Sequence, residues 1–70
     1  RLDFMVEGGL GIEVKIDGSA MDLGYQVLRY LKDEAVKGIV VVTTRSSHRD
    51  LPRELEGKPI WVLYLFASAF

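Results

Sequence analysis

Glu13 and Lys15 stand in an otherwise aliphatic run, "LGIEVKI" at residues 10–16, and their spacing of two puts both side chains on one side of a strand. The segment before it, "LDFMV" at 2–6, alternates in the same way and reaches it through Glu7, Gly8 and Gly9. A two-residue Gly8-Gly9 turn would set Asp3 opposite Val14 and Phe4 opposite Glu13, mixing polar with apolar on each face. A three-residue Glu7-Gly8-Gly9 loop, with glycine for the left-handed position, sets Val6 opposite Leu10 and Phe4 opposite Ile12. Leu2, Phe4, Val6, Leu10, Ile12, Val14 and Ile16 then share one face. Arg1, Asp3, Met5, Gly11, Glu13, Lys15 and Asp17 share the other, with Asp3 directly across from Glu13.

Directly opposed residues have Cβ atoms about 4.5–5.5 Å apart, where like charges are destabilising unless something positive lies between them. Two carboxylates at that separation suit a hard divalent cation, Mg²⁺ or Mn²⁺. Lys15 lies two positions along on the same face, within reach of a water or anion beside such an ion. The chemistry open to this set is phosphodiester hydrolysis, in which a metal polarises the phosphoryl oxygen and supplies hydroxide at neutral pH while the lysine positions water or steadies developing negative charge. The alternative is an ordinary solvated sheet face, with Lys15 partly neutralising Glu13.

These residues need a sheet and a crossover to hold them. Ser19 with Asp22 three residues later resembles a capping box, and it opens an expected helix from Ala20 to Ala35 in which Leu23, Val27, Tyr30 and Leu31 recur at helical spacing. Lys37-Gly38 is expected to end it. Gly24 in mid-helix costs about 1 kcal/mol relative to alanine, which points to close approach of the helix to the sheet or to a neighbouring chain. "IVVVTT" at 39–44 reads as a strand buried on both faces and parallel to the preceding one. A short helical turn from Pro52 to Glu56, capped by Asp50, and a final strand near Ile60 to Phe66 complete the expected order. The fold class is therefore α/β, with a small mixed sheet made of a hairpin, a crossover helix, a buried strand and a final strand.

Seventy residues, 49% of them hydrophobic, make one domain with a thin core, and the absence of cysteine leaves no disulfide or thiolate site to reinforce it. Lack of cysteine also leans toward an intracellular, cytoplasmic location. The net charge of -1 excludes a globally basic nucleic-acid binder but leaves room for a local basic surface. "PIWVLYLFASAF" is shorter than the ~20 apolar residues a membrane helix needs, so no membrane partner is expected.

Asp3 followed by Glu13-Val14-Lys15 on the next strand resembles the D…(D/E)-x-K signature of the PD-(D/E)XK nuclease superfamily, with Leu2 where the proline of the name would stand. Gln26 to Tyr30 on the following helix resembles the Q-x-x-x-Y motif of RecB-type and related exonuclease branches. The resemblance runs from Leu2 to about Leu65. It implies a reduced restriction-endonuclease-like core over residues 1–70, and a DNA phosphodiester hydrolase using Mg²⁺ or Mn²⁺. Asp3, Glu13 and the carbonyl of Val14 would hold the metal, Lys15 would assist the attacking water, and Gln26 and Tyr30 would orient the site or the DNA. The first helix and strand of the family core are not among these residues. They lie outside the chain or are replaced by another subunit. A structure-selective or junction-resolving endonuclease and an exonuclease remain open, as do a catalytically silent nuclease-like module and a small α/β interaction module. Tyr30 also fits the apolar stripe of its helix as a core residue.

The loop "TTRSSHRDLPREL" offers Arg45, Arg49 and Arg53 for phosphate contacts, with Ser46 and Ser47 as small donors, or else forms a solvated loop of Arg and Glu pairs. His48 is the only histidine and is expected at the surface. Trp61, Tyr64, Phe66 and Phe70 exceed what so small a core can bury, which points to an oligomer surface and a homodimer.

Overall fold

The computed structural model describes residues 4–65. In chain order it comprises β1 (Phe4–Val6), β2 (Leu10–Lys15), α1 (Ala20–Leu31), β3 (Gly38–Thr43), a 3-10 turn (Ser46–Asp50), β4 (Glu54–Leu55) and β5 (Lys58–Tyr64). The strands form one mixed sheet in the order β1-β2-β3-β5-β4. This is the expected α/β class, with one strand more than the sequence suggested.

The hairpin register is the three-residue one: Phe4 pairs with Ile12, Met5 with Gly11 and Val6 with Leu10. Gly8 and Gly9 supply left-handed backbone at φ of 94° and 90°. Gly9 is also fixed by crowding, because a Cβ there would come within 2.6 Å of the Ala35 carbonyl oxygen. Its own carbonyl accepts the Lys37 N–H at 2.7 Å and so ties the hairpin turn to the entry of β3.

Helix α1 starts as expected, with the Ser19 hydroxyl accepting the Asp22 N–H at 3.0 Å. It ends earlier than expected, at Leu31, with Lys32 as its C-cap. Residues 32–35 leave the helix because the Asp33 carboxylate accepts the Ala35 N–H at 2.9 Å, a local turn that competes with another helical turn. Lys58 then donates from Nζ to the carbonyls of Leu31 and Asp33, satisfying acceptors at the helix end.

From α1, Leu23, Val27 and Leu31 pack with Val36, Ile39, Val41, Leu51 and Ile60 in the core, with Tyr30, Leu55 and Val62 at its margin. Each fully buried aliphatic side chain contributes roughly 1.5–3 kcal/mol. Gly24 does not approach the sheet closely. A Cβ there would meet Leu51 Cδ2 at 3.7 Å, ordinary contact.

β3 lies parallel to both β2 and β5. The expectation that it is buried on both faces holds on one face only: Ile39, Val41 and Thr43 are buried beneath the helix, while Val40 and Val42 are half-buried. The opposite face of the sheet carries no helix among the described residues. The expected helical turn at 52–56 is also corrected. The 3-10 turn falls earlier, and Glu54 and Leu55 form β4, whose antiparallel pairing with Pro59 and Lys58 follows a turn with positive φ at Glu56 and Gly57. β5 runs from Lys58 to Tyr64. β4 is so short that beyond Ile60 no described strand lies beside the outer edge of β5. No helix of the described residues is long and apolar enough to cross a membrane.

Candidate functional site

The parallel strands β2, β3 and β5 end together, and their registers align Lys15 with Thr43 and Thr43 with Tyr64 in one row across the helix-side face. Glu13, Val41 and Val62 form the next row back. The carboxyl ends of parallel strands are where α/β sheets commonly bind ligands, because the loops that leave them diverge and open a crevice.

Glu13 is only 4% exposed. That excludes the solvated sheet face for this residue: the carboxylate lies on the covered side, where a charge must be compensated. Lys15 is half-buried on the same side of the same strand. The side chain of Val14 points to the opposite face, so only its main-chain carbonyl could serve as a ligand. Asp3, the expected second carboxylate, lies outside the described residues, and so do Phe66 and Phe70. The donors that are described, a carboxylate and a main-chain carbonyl, are oxygens of the type that suits Mg²⁺ or Mn²⁺.

Gln26 and Tyr30 are brought together on α1, where the Gln26 amide donates to the Tyr30 hydroxyl at 3.0 Å. The bond follows from their spacing of four on one helix face. Tyr30 packs against the core at the same time, so its ring is structural and its hydroxyl belongs to a polar pair.

His48 corrects the sequence expectation most sharply. It is fully buried, not at the surface. Its Nε2 donates to the Gly18 carbonyl at 2.9 Å, and its Nδ1 lies 2.6 Å from the Thr43 hydroxyl, which also accepts the Arg45 N–H at 2.9 Å. The Gly18 carbonyl can only accept, so Nε2 carries the proton. The tautomer that satisfies every group then has Thr43 donating to Nδ1. His48 thereby pins the loop that leaves β2 to the loop that leaves β3, and fixes the surroundings of Lys15. Sequence reasoning missed this positioning role; the only hint was a hydroxyl residue five places before a lone histidine.

Arg45, Arg49 and Arg53 are all exposed. Arg49 stacks its guanidinium on the Tyr64 ring, 5.1 Å from the centroid, an arrangement that orients the group without neutralising it. Arg49 and Arg53 line one cleft of about 530 Å³ with Leu51, Trp61, Val62 and Tyr64. Arg45 is not part of that lining. The structure therefore unites two of the three arginines, two strands away from Glu13 along the row that begins at Lys15. No protein-family model, no curated protein and no solved structure matches the chain.

Proposed function

We propose that the protein is a metal-dependent nuclease that hydrolyses DNA phosphodiester bonds, acting as an endonuclease on structured or branched substrates, and that it works as a homodimer. The observation that carries this reading is the buried Glu13 carboxylate beside Lys15, near the carboxyl ends of three parallel strands and on the face shared with Thr43 and Tyr64. A buried acid two positions from a half-buried lysine on the same strand face is a costly arrangement for a surface of no use.

Glu13 and the Val14 carbonyl, together with Asp3, would hold Mg²⁺ or Mn²⁺. When bound, the ion polarises the phosphoryl oxygen and lowers the pKa of a coordinated water. Lys15 donates hydrogen bonds to that water or to the phosphoryl oxygens as negative charge grows on them. Thr43 and His48 hold the two flanking loops in place. Arg49 and Arg53 carry the adjoining phosphates of the strand, contacts that position DNA without reading its sequence. Gln26 and Tyr30 support the site from the helix.

The test is cleavage of labelled single-stranded, duplex and branched DNA with Mg²⁺, Mn²⁺ or EDTA, using the native chain, Glu13→Gln and Lys15→Ala. Metal-dependent cleavage that prefers branched DNA and is lost in both variants is the expected result. A folded chain that binds DNA but cuts none of the substrates would leave the catalytically silent nuclease-fold module as the correct reading.

A further inference from the structure

The sheet face away from α1 is as apolar as the core and nothing described covers it. Phe4, Val6, Leu10, Ile12 and Val14 lie there from the hairpin, joined by Val40, Val42, Trp61 and Leu63 through the paired registers. These nine side chains outnumber the eight apolar residues of the buried core. Exposure reaches 59% at Phe4 and 52% at both Trp61 and Leu63. The Trp61 ring lies against Gly38, where a Cβ would approach Trp61 Cζ3 to 3.3 Å, so the glycine lets the indole lie across the entry of β3. The charged side chains nearest this face lie at its β5 edge: Glu54 at the β4 corner, and Arg49 and Arg53, which share a cleft with Trp61.

We propose that this face is the interface of a homodimer, in which a second copy of the chain stacks its own bare sheet face on the first. The inference rests on the homodimer element of the function proposed above and not on its chemistry, because Glu13 and Lys15 lie on the other side of the sheet. Three observations choose a second copy as the occupant. First, an isologous contact places each patch against itself, and a patch with no charge inside it brings no like charges together. Second, strands of three, six, six and seven residues, at about 3.3 Å per residue and about 4.8 Å apart, give a flat footprint of roughly 350 Å². Two copies therefore bury roughly 700 Å² of flat sheet, to which the protruding Phe4, Trp61 and Leu63 side chains add, moving the total toward the ~1,200 Å² at which standard interfaces begin. Third, a sheet with one helical layer needs a second layer to bury its other face, and two such sheets supply it for each other at a spacing of about 10 Å.

The experiment is light scattering behind size exclusion over a concentration series, combined with emission from Trp61, the single tryptophan. The native chain is expected at twice 7.9 kDa, with Trp61 emission shifting to the red on dilution. Val14→Lys and Leu63→Lys change side chains already half-exposed in one chain, so each variant keeps its far-ultraviolet circular dichroism. Each is expected to elute at the mass of one chain and to weaken association at least 100-fold. Tyr25→Lys, on the outer side of α1, leaves the dimer intact. A native chain that stays at 7.9 kDa at 100 µM overturns the proposal, as does a dimer that survives both lysine variants. DNA cleavage measured alongside separates this outcome from failure of the nuclease reading: a dimer that cuts nothing preserves the interface and removes the activity.

Discussion

Replacing His48 with alanine should cost the protein a large part of its stability, and the size of the loss can be worked from its surroundings. The ring is fully buried, so its removal leaves a cavity, which for large-to-small core substitutions costs about 2–5 kcal/mol. It also leaves the Gly18 carbonyl without its donor and the Thr43 hydroxyl without its acceptor, and buried groups stranded in this way cost about 1–3 kcal/mol each unless water replaces the ring. Water entering the gap offsets part of both losses, so a net figure of about 3–5 kcal/mol is expected. A chain of 70 residues has a total stability of roughly 4–10 kcal/mol, so the variant should be partly unfolded in buffer at room temperature. Thr43→Val removes only the hydroxyl and should cost about 1–3 kcal/mol, by leaving Nδ1 and the Arg45 N–H unsatisfied. The assay is urea unfolding followed by circular dichroism at one fixed protein concentration, with the double variant closing the cycle. The two residues share a bond, so the double loss should fall short of the sum by about 1 kcal/mol or more. A loss below about 1 kcal/mol for His48→Ala, or strict additivity, would refute the assignment of His48 as the staple between the two loops.

Gly24→Ala should stabilise the protein by about 1 kcal/mol, because the new methyl meets Leu51 at ordinary contact distance while the helix interior gains propensity; the urea midpoint reports it. Lys58→Met should cost about 1–2 kcal/mol in the same assay, since it keeps the aliphatic stem but strips the donors from the Leu31 and Asp33 carbonyls at the end of α1.

The parts of the fold legible in the sequence were those set by alternation and local chemistry. The hairpin register followed from sorting faces around Glu7-Gly8-Gly9, and the start of α1 from Ser19 and Asp22. Both are decided by residues within a few positions of one another. The end of α1 was misread because Asp33 closes a turn on Ala35, a competition that helical periodicity does not register. β4 was missed because two residues carry no pattern, and its pairing depends on the left-handed backbone at Glu56 and Gly57. At the candidate site, the same-face placement of Glu13 and Lys15 and the Gln26-Tyr30 pair were readable from spacing alone. The burial of Glu13 was not, because which face of a sheet the helix covers is a long-range choice. His48 was invisible for the same reason, since its partner carbonyl at Gly18 is thirty residues away.

Among the described residues, the brevity of β4 leaves no strand beside the outer flank of β5 at Val62. Ile60 directs its N–H outward, to the Arg53 carbonyl, and Leu65 directs its own inward, to Thr43, so the alternation of a strand turns the amide and carbonyl of Val62 outward as well. Such a flank is a template on which a further strand can grow. Arg49 and Arg53 stand beside this opening. Two identical flanks meeting there would crowd four guanidinium groups together, so charge disfavours pairing of copies through this edge, while the uncharged face has no such brake.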